Sequence, residues 1–124
     1  MSVDEIAAAS NIVDIASVQN RYNLTDRASD DVLASCRQGG IAFVPWLPIA
    51  NGGHARADGL LGKIAADLGA TPAQVSLAWL LRKSPVIIPI PGTSSKEHLE
   101  ENCGAADVTL SDEQFRALTD ATTS

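Results

Sequence analysis

The sequence has few aromatic residues and few positive charges, and each shortage excludes some functions. Aromatic residues make up 4% of the 124 residues, so a core has to be built mainly from Ala, Val, Ile and Leu. Lys and Arg number 9 against 15 Asp and Glu, which gives a formal net charge of -6. Nucleic acids and anionic membranes both require a basic surface, so neither is expected as a partner.

Cysteines and long apolar runs are also scarce. Cys36 and Cys103 lie far apart, and no short-spaced Cys or His pair suggests a metal site. Both cysteines are expected to be buried, reduced thiols. No run is long enough to cross a membrane, and the first residues, MSVDE, lack the basic region of a signal peptide. The expected location is therefore cytoplasmic.

Three short apolar runs have the composition of buried parallel strands. They lie at residues 15–19, 41–46 and 86–91, and the second carries a proline near its end, where a missing N–H is tolerated. The Gly-rich residues 51–59 are predicted to form a loop.

Helix-start signals precede the other segments. Capping boxes are predicted at Ser2/Glu5, Thr71/Gln74, Ser94/Glu97 and Ser111/Gln114. Ser29 is predicted to cap a helix that Gly39 and Gly40 end. In the helix that begins at Ser94, Leu99 is the one clear apolar anchor.

The alternation of strands and helices predicts an α/β fold with a parallel sheet. A complete (β/α)8 TIM barrel needs about 250 residues, so the chain is expected to form a partial barrel of three parallel strands alternating with helices. Such a sheet has two open edges. Exposed edges favour pairing with another chain, so self-association through them is expected.

Four motifs occur in a fixed order along the chain: SVQNRYNL at 17–24, PWLPIA at 45–50, AQVSLAWLL at 73–81, and PIPGTSS at 89–95 followed by HLEEN at 98–102. Together they resemble the second half of the aldo-keto reductase family. The resemblance implies that residues 1–124 are a single C-terminal fragment carrying barrel strands six to eight, with the first five βα units largely absent. It also implies an oxidoreductase that reduces a small-molecule carbonyl to an alcohol by hydride transfer from NADPH, with NADH as the alternative.

The resemblance assigns cofactor contacts residue by residue. Gln19 corresponds to the residue that holds the nicotinamide carboxamide, and Trp46 to the aromatic that stacks on the nicotinamide ring. Backbone contacts to the phosphates are implied for Leu47 and Ile49, although Leu47 stands where the family commonly has Ser. The contacts implied for the 2′-phosphate and adenine come from Thr93, Ser94, Ser95, His98, Glu101 and Asn102. Taken alone, ordinary helix capping explains Ser94 or Ser95 equally well.

Two departures from the family pattern bear on cofactor choice. Gly92 and His98 stand where many relatives carry Lys and Arg, which removes positive charge near the 2′-phosphate. Lys96 offers partial compensation.

No region matches the family's catalytic Asp, Tyr, Lys and His, so the chain alone is expected to be inactive. The single tyrosine, Tyr22, lies in the sixth-strand motif and is not assigned the role of the acid, and His54 is interpreted as a solvated loop residue. Three hypotheses stay open: part of a reductase, a non-catalytic NADP-binding half-barrel, and an inactive remnant.

Overall fold

The fold comes from a computed structural model that describes residues 1–46 and 55–121. The helices are α1 (Val3–Ser10), α2 (Asp30–Gly39), α3 (Ala55–Leu68), α4 (Pro72–Lys83), α5 (Lys96–Gly104) and α6 (Asp112–Ala121). The strands are β1 (Ser17–Arg21) and β2 (Ala42–Trp46), and a 3-10 turn at Ala105–Asp107 follows α5. This arrangement confirms the α/β class.

The sheet is parallel but smaller than predicted. β1 pairs with β2 so that Val18 lies beside Phe43. Residues 86–91, the third predicted strand, add only one parallel bridge, between Ile87 and Phe43. The next bond of this ladder would run from the N–H of residue 45 to the Ile88 carbonyl, but Pro45 has no N–H, so the ladder does not extend beyond that bridge. The described residues thus form a two-stranded sheet with a bridged third segment, and the three-strand prediction is wrong in this respect.

Most predicted helix starts are confirmed, but α5 begins one residue late. The capping boxes at Ser2, Thr71 and Ser111 all form. The box predicted at Ser94 does not, because the cap of α5 is Ser95, whose hydroxyl accepts from the His98 N–H at 3.3 Å. The Ser95 N–H in turn donates to the Thr93 hydroxyl at 3.1 Å, and this local turn moves the helix start.

The first strand is fixed to α2 by a buried amide. Asn20 is 8% exposed, and its Nδ2 donates to the Ser29 hydroxyl at 3.2 Å and to the Met1 carbonyl at 2.9 Å. Ser29 occupies the cap position of α2 as predicted, but its side chain makes no capping hydrogen bond to the helix. Gly40 ends α2 at a φ of 67°, where glycine is favoured.

Helix α3 begins inside the segment that was predicted to be a loop. It starts at Ala55, whereas the loop prediction covered residues 51–59. Residues 55–58 read ARAD, and Ala and Arg favour helix despite the glycines on both sides. The loop prediction is therefore wrong for residues 55–59, and residues 51–54 lie outside the described part of the chain.

Four of the five aromatic side chains pack into one cluster. Trp79 of α4 stacks on Tyr22 at a centroid distance of 6.3 Å and on Phe115 of α6 at 5.9 Å. Tyr22 meets Phe43 of β2 edge-on at 5.6 Å. The cluster therefore joins the sheet to α4 and α6.

Polar contacts around this cluster fasten α6. The Trp79 Nε1 donates to the Thr119 hydroxyl at 3.0 Å, and Arg27 donates to the Thr119 carbonyl at 2.8 Å. Arg82 pairs with Asp112 and lies 5.0 Å from the Phe115 ring centroid. The last described helix is thus attached through both stacking and hydrogen bonds.

The two cysteines occupy different environments. Both thiols are free, and Cys36 is buried, but Cys103 is exposed. Burial of Cys103 was wrongly predicted because no residue of α5 is buried. For the same reason Leu99, expected to anchor this helix, is 53% exposed.

The described residues contain neither a membrane-spanning helix nor a metal-binding cluster. Within residues 1–46 and 55–121 no helix is long and apolar enough to span a bilayer. The same ranges contain no cluster of His, Cys, Asp or Glu suited to a metal ion.

The buried hydroxyl of Tyr22 should make the folded chain less stable at alkaline pH. Its hydroxyl is buried and donates to Asp30, and burial followed by this hydrogen bond raises the pKa of Tyr22 far above its ordinary value. The folded chain therefore keeps a proton that the unfolded chain loses above about pH 10. This contribution to the free energy of unfolding should fall by about 1.4 kcal/mol per pH unit above that point.

Denaturant unfolding of the chain and of Tyr22→Phe over this pH range measures the effect. The wild-type chain should lose stability more steeply than the variant, because phenylalanine has no proton to release. Equal slopes for the two proteins would contradict the assignment.

Candidate functional site

Gln19 and Trp46 lie on the same face of the sheet. Along β1, Val18 and Asn20 are buried, whereas Gln19 points to the exposed face. Gln19 pairs with Val44, and Trp46 stands two residues farther along β2, about 7 Å away along the strand. The structure therefore places on one face the two residues for which the family resemblance implies nicotinamide contacts.

Trp46 is the aromatic residue that does not join the cluster. It is 46% exposed at the end of β2, although a core position was the other interpretation of its sequence. The Arg21 guanidinium lies 6.0 Å from its ring centroid and also pairs with Asp26 at 3.0 Å. An exposed indole beside a cation and an amide presents a flat surface for stacking.

The predicted 2′-phosphate residues lie around the start of α5. Thr93 and Ser94 are exposed, and Ser95 is half-buried. The Thr93 and Ser95 oxygens both accept backbone N–H groups, so capping explains part of their presence. His98 is exposed on the first turn, and the positive end of the helix dipole favours an anion here.

A shallow groove of about 350 Å³ separates α5 from α4 and residues 86–91. Its walls are mostly apolar and are lined by Leu77, Leu81, Pro89, Pro91 and Leu99, with Asn102 and Cys103 on the α5 side. Glu101, the other predicted adenine contact, is half-buried beside Asn102. An apolar groove with an amide at its rim suits a planar, hydrogen-bonding ring.

The two halves of the site are connected through the sheet. Phe43 of β2 bonds to residues 86–91 in both directions, since its N–H donates to the Val86 carbonyl at 2.8 Å and its carbonyl accepts from the Ile88 N–H at 2.9 Å. Residues 92–95 directly follow this segment, and Trp46 is the last residue of β2. Trp46 thus lies at the carboxyl end of one parallel segment and residues 92–95 lie just beyond the end of another, in the region where barrels place their ligands.

Two predicted site residues, Leu47 and Ile49, lie outside the described residues, as does His54, which was predicted to be a solvated loop residue. Tyr22 is described, and its buried hydroxyl donates to Asp30. It therefore packs on the helix side of the sheet and does not face the site.

The sequence also missed three neighbours of the site. Arg21 follows Gln19 by two residues, so strand alternation alone predicts that both share a face. Cys103 borders the groove, which helical spacing from Leu99 indicates. Gln74, whose Nε2 donates to the Glu101 carbonyl at 2.8 Å, is 27 residues away and leaves no local signal.

Comparison with known proteins identifies the family. Residues 1–122 match the aldo/keto reductase family, and the chain belongs to it. An uncharacterized oxidoreductase of Schizosaccharomyces pombe is 45% identical over 118 residues, which are 95% of this chain and 39% of the relative. Pyridoxine 4-dehydrogenase of Escherichia coli is 46% identical over 114 residues, or 92% of this chain and 40% of the enzyme.

Solved structures of the family share the fold. A thermostable aldo-keto reductase in complex with the inhibitor epalrestat superposes with a TM-score of 0.89 at 29% identity, over 98% of this chain and 46% of that protein. An aldo-keto reductase from Klebsiella pneumoniae in complex with NADPH gives 0.85 at 31% identity, over 97% and 45%. The partial-barrel fold class is therefore confirmed. The chain spans less than half the length of these relatives.

Truncation of Phe43 should lower the free energy of unfolding much more than truncation of Trp46. Both are aromatic residues of β2, but Phe43 is fully buried and Trp46 is exposed. Phe43→Ala should lower the free energy of unfolding by about 3–5 kcal/mol, and Trp46→Ala should change it by less than about 0.5 kcal/mol. Denaturant unfolding measures both. A comparable loss in the two variants would place Trp46 in the core and remove it from the site.

Proposed function

We propose that the chain is the cofactor-binding, C-terminal part of an NADPH-dependent aldo/keto reductase, corresponding to barrel strands six to eight. The observation that carries this proposal is the shared exposed face of Gln19 and Trp46 at the end of the sheet. The four ordered motifs support the assignment to these strands. NADPH in the similar Klebsiella pneumoniae enzyme supports the choice of cofactor.

Gln19 and Trp46 suit the nicotinamide for different reasons. The Gln19 amide is both a donor and an acceptor, so it matches a carboxamide on both counts. Trp46 offers a flat surface that fixes which face of the ring is presented. Arg21, near the indole, adds positive charge toward the phosphates. When bound, NADPH supplies a hydride to the carbonyl carbon and becomes NADP⁺, and the carbonyl oxygen takes a proton to give the alcohol.

The other end of the site suits an adenosine carrying phosphate. Ser94 and the turn at Thr93 and Ser95 offer hydroxyls at the positive end of α5, and Lys96 adds a charge in its first turn. The groove beside Asn102 takes the adenine ring. Gly92 and His98 stand where many relatives carry fixed positive charges. We therefore propose that the preference for NADPH over NADH is modest.

The described residues hold the cofactor but do not supply the proton. The Tyr22 hydroxyl is buried and donates to Asp30, and its raised pKa opposes proton release. We therefore propose that the chain by itself binds NADPH without reducing a carbonyl. Positioning the reacting ring is still a large part of catalysis, because it removes the orientational entropy of the encounter.

A non-catalytic half-barrel is the second candidate, in which a second copy covers apolar residues that the rest of a full barrel would otherwise cover. Ile88 is 55% exposed and Ile90 is 42% exposed on the segment that borders the sheet. Covering these side chains with a second copy would produce a stable oligomer that binds NADPH. The native mass of the protein in cells separates the candidates: a mass near that of a full barrel supports the reductase, and a 12.9 kDa chain in an oligomer supports the module.

Gln19 gives a direct test of nicotinamide binding. NADPH should quench the fluorescence of Trp46, measured as the part of the tryptophan emission that Trp46→Phe removes, since Trp79 also emits. Gln19→Ala should raise Kd about tenfold, because one hydrogen bond to the ligand is lost. Ser17→Ala changes the same exposed face of β1 and serves as the matched control. No quenching of Trp46 by saturating NADPH in the folded chain would overturn the proposal, as would equal effects of the two variants.

Chemical labelling of Cys103 tests binding of the adenosine end independently of the Gln19 variants. It is exposed in the groove, whereas Cys36 is buried and burial raises its pKa. A thiol reagent should modify Cys103 first, and NADPH should slow that reaction several-fold while leaving the slow reaction of Cys36 unchanged. Unaltered Cys103 labelling in the presence of bound NADPH would place the adenine elsewhere.

A further inference from the structure

The side chain of Gln74 connects the start of α4 to the end of α5. Its Oε1 accepts from the Thr71 N–H at 3.0 Å, and its backbone N–H donates to the Thr71 hydroxyl at 3.2 Å. This capping box uses only the acceptor of the side-chain amide. The donor, Nε2, instead reaches the Glu101 carbonyl at 2.8 Å. A single residue therefore caps one helix and contacts another.

The Glu101 carbonyl needs this donor because α5 ends by tightening. In a regular α-helix the N–H of Ala105 would donate to Glu101, four residues earlier. Here the Ala105 N–H is directed to the carbonyls of Asn102 and Cys103, as the chain enters the 3-10 turn. Gln74 thus supplies a hydrogen bond that the helix end leaves unmade.

The lack of a side chain at Gly104 leaves space for the same contact between Gln74 and Glu101. Its φ of -65° is ordinary helical backbone, so the conformation does not demand glycine. A Cβ at this position would lie 2.8 Å from the Gln74 Nε2 and 3.9 Å from its Cδ, and no other described atom outside the local helix lies within 4 Å. The missing side chain at residue 104 therefore makes room for Gln74 specifically.

The contact matters because little else holds α5. All nine residues of this helix are described, and none of them is buried. Packing against the core therefore contributes little to its orientation. The Gln74 bond falls on the turn that carries Glu101 and Asn102, the proposed adenine contacts.

We propose that Gln74 is a positioning residue for the adenosine half of the cofactor. It does not touch the ligand. It sets the orientation of Glu101 and Asn102 through the Glu101 carbonyl, and Gly104 provides the space it needs. This inference rests on the proposed function, since it concerns the adenosine end of that same site.

A double-mutant cycle tests the proposal with three variants: Gln74→Ala, Gly104→Ala and the two combined. Gln74→Ala removes the donor, and Gly104→Ala displaces it without adding charge. Each single variant should raise Kd for adenosine 2′,5′-bisphosphate and for NADPH about tenfold. The double variant should bind no more weakly than Gln74→Ala, because the added Cβ then meets nothing.

Two controls separate positioning from a general loss of structure. Gln114 closes the same kind of capping box with Ser111 in α6, so Gln114→Ala removes an equivalent cap without touching α5. It should leave Kd for the bisphosphate unchanged. Nicotinamide mononucleotide probes the Gln19 and Trp46 end, and its quenching of Trp46 should be the same in all variants.

The outcomes distinguish the two proposals. If the wild-type chain binds neither NADPH nor the bisphosphate, the proposed function fails and this inference fails with it. If the wild-type chain binds both and the single variants bind them equally well, only the positioning role is overturned. Parallel losses for the bisphosphate and the mononucleotide, or additive losses in the double variant, would also overturn it.

Discussion

Stacking on Trp79 is the interaction on which the rest of this fold depends. The indole lies between Tyr22 and Phe115, and its N–H reaches Thr119 while the Arg27 guanidinium lies 5.7 Å from its ring centroid. These partners come from the segment after β1 and from α6, so one side chain of α4 holds both. A chain with few aromatic residues has concentrated them where the sheet meets the helices. Trp46 stands apart on the other face of the sheet, which leaves it available to a ligand.

Local chemistry explains which structural predictions were confirmed. The boxes at Ser2, Thr71 and Ser111 need only residues three positions apart, so the sequence carries the whole signal. The shift from Ser94 to Ser95 arises because several adjacent hydroxyls compete for one cap, and neighbouring N–H groups decide between them. The third strand failed for a different reason. Its apolar composition fits a strand, but Pro45 on the neighbouring β2 has no N–H to continue the ladder.

The residues of the candidate site also divide into those that the sequence predicts and those that depend on tertiary contacts. Resemblance to the family predicts the roles of Gln19 and Trp46, and strand alternation explains why both face outward. The burial of Cys103 was mispredicted because α5 packs lightly, which depends on tertiary contacts that no local pattern encodes. Gln74 is the extreme case, since its partner at Glu101 is 27 residues away. Sequence reasoning reaches helix caps and strand faces, whereas contacts between helix ends require the folded structure.

The alternation in β1 has a consequence for how this chain tolerates changes in length. A side-chain period of two means that one inserted or deleted residue within Ser17–Arg21 would exchange the two faces, burying Gln19 and exposing Val18. Asn20 opposes such a slip, because its side-chain amide donates a hydrogen bond to Ser29, the residue just before α2. Residues 11–16, between α1 and β1, have no such tether to α2, and Ile12 among them is 87% exposed. Length variation among homologous chains should therefore accumulate in that connection and be absent from the strand.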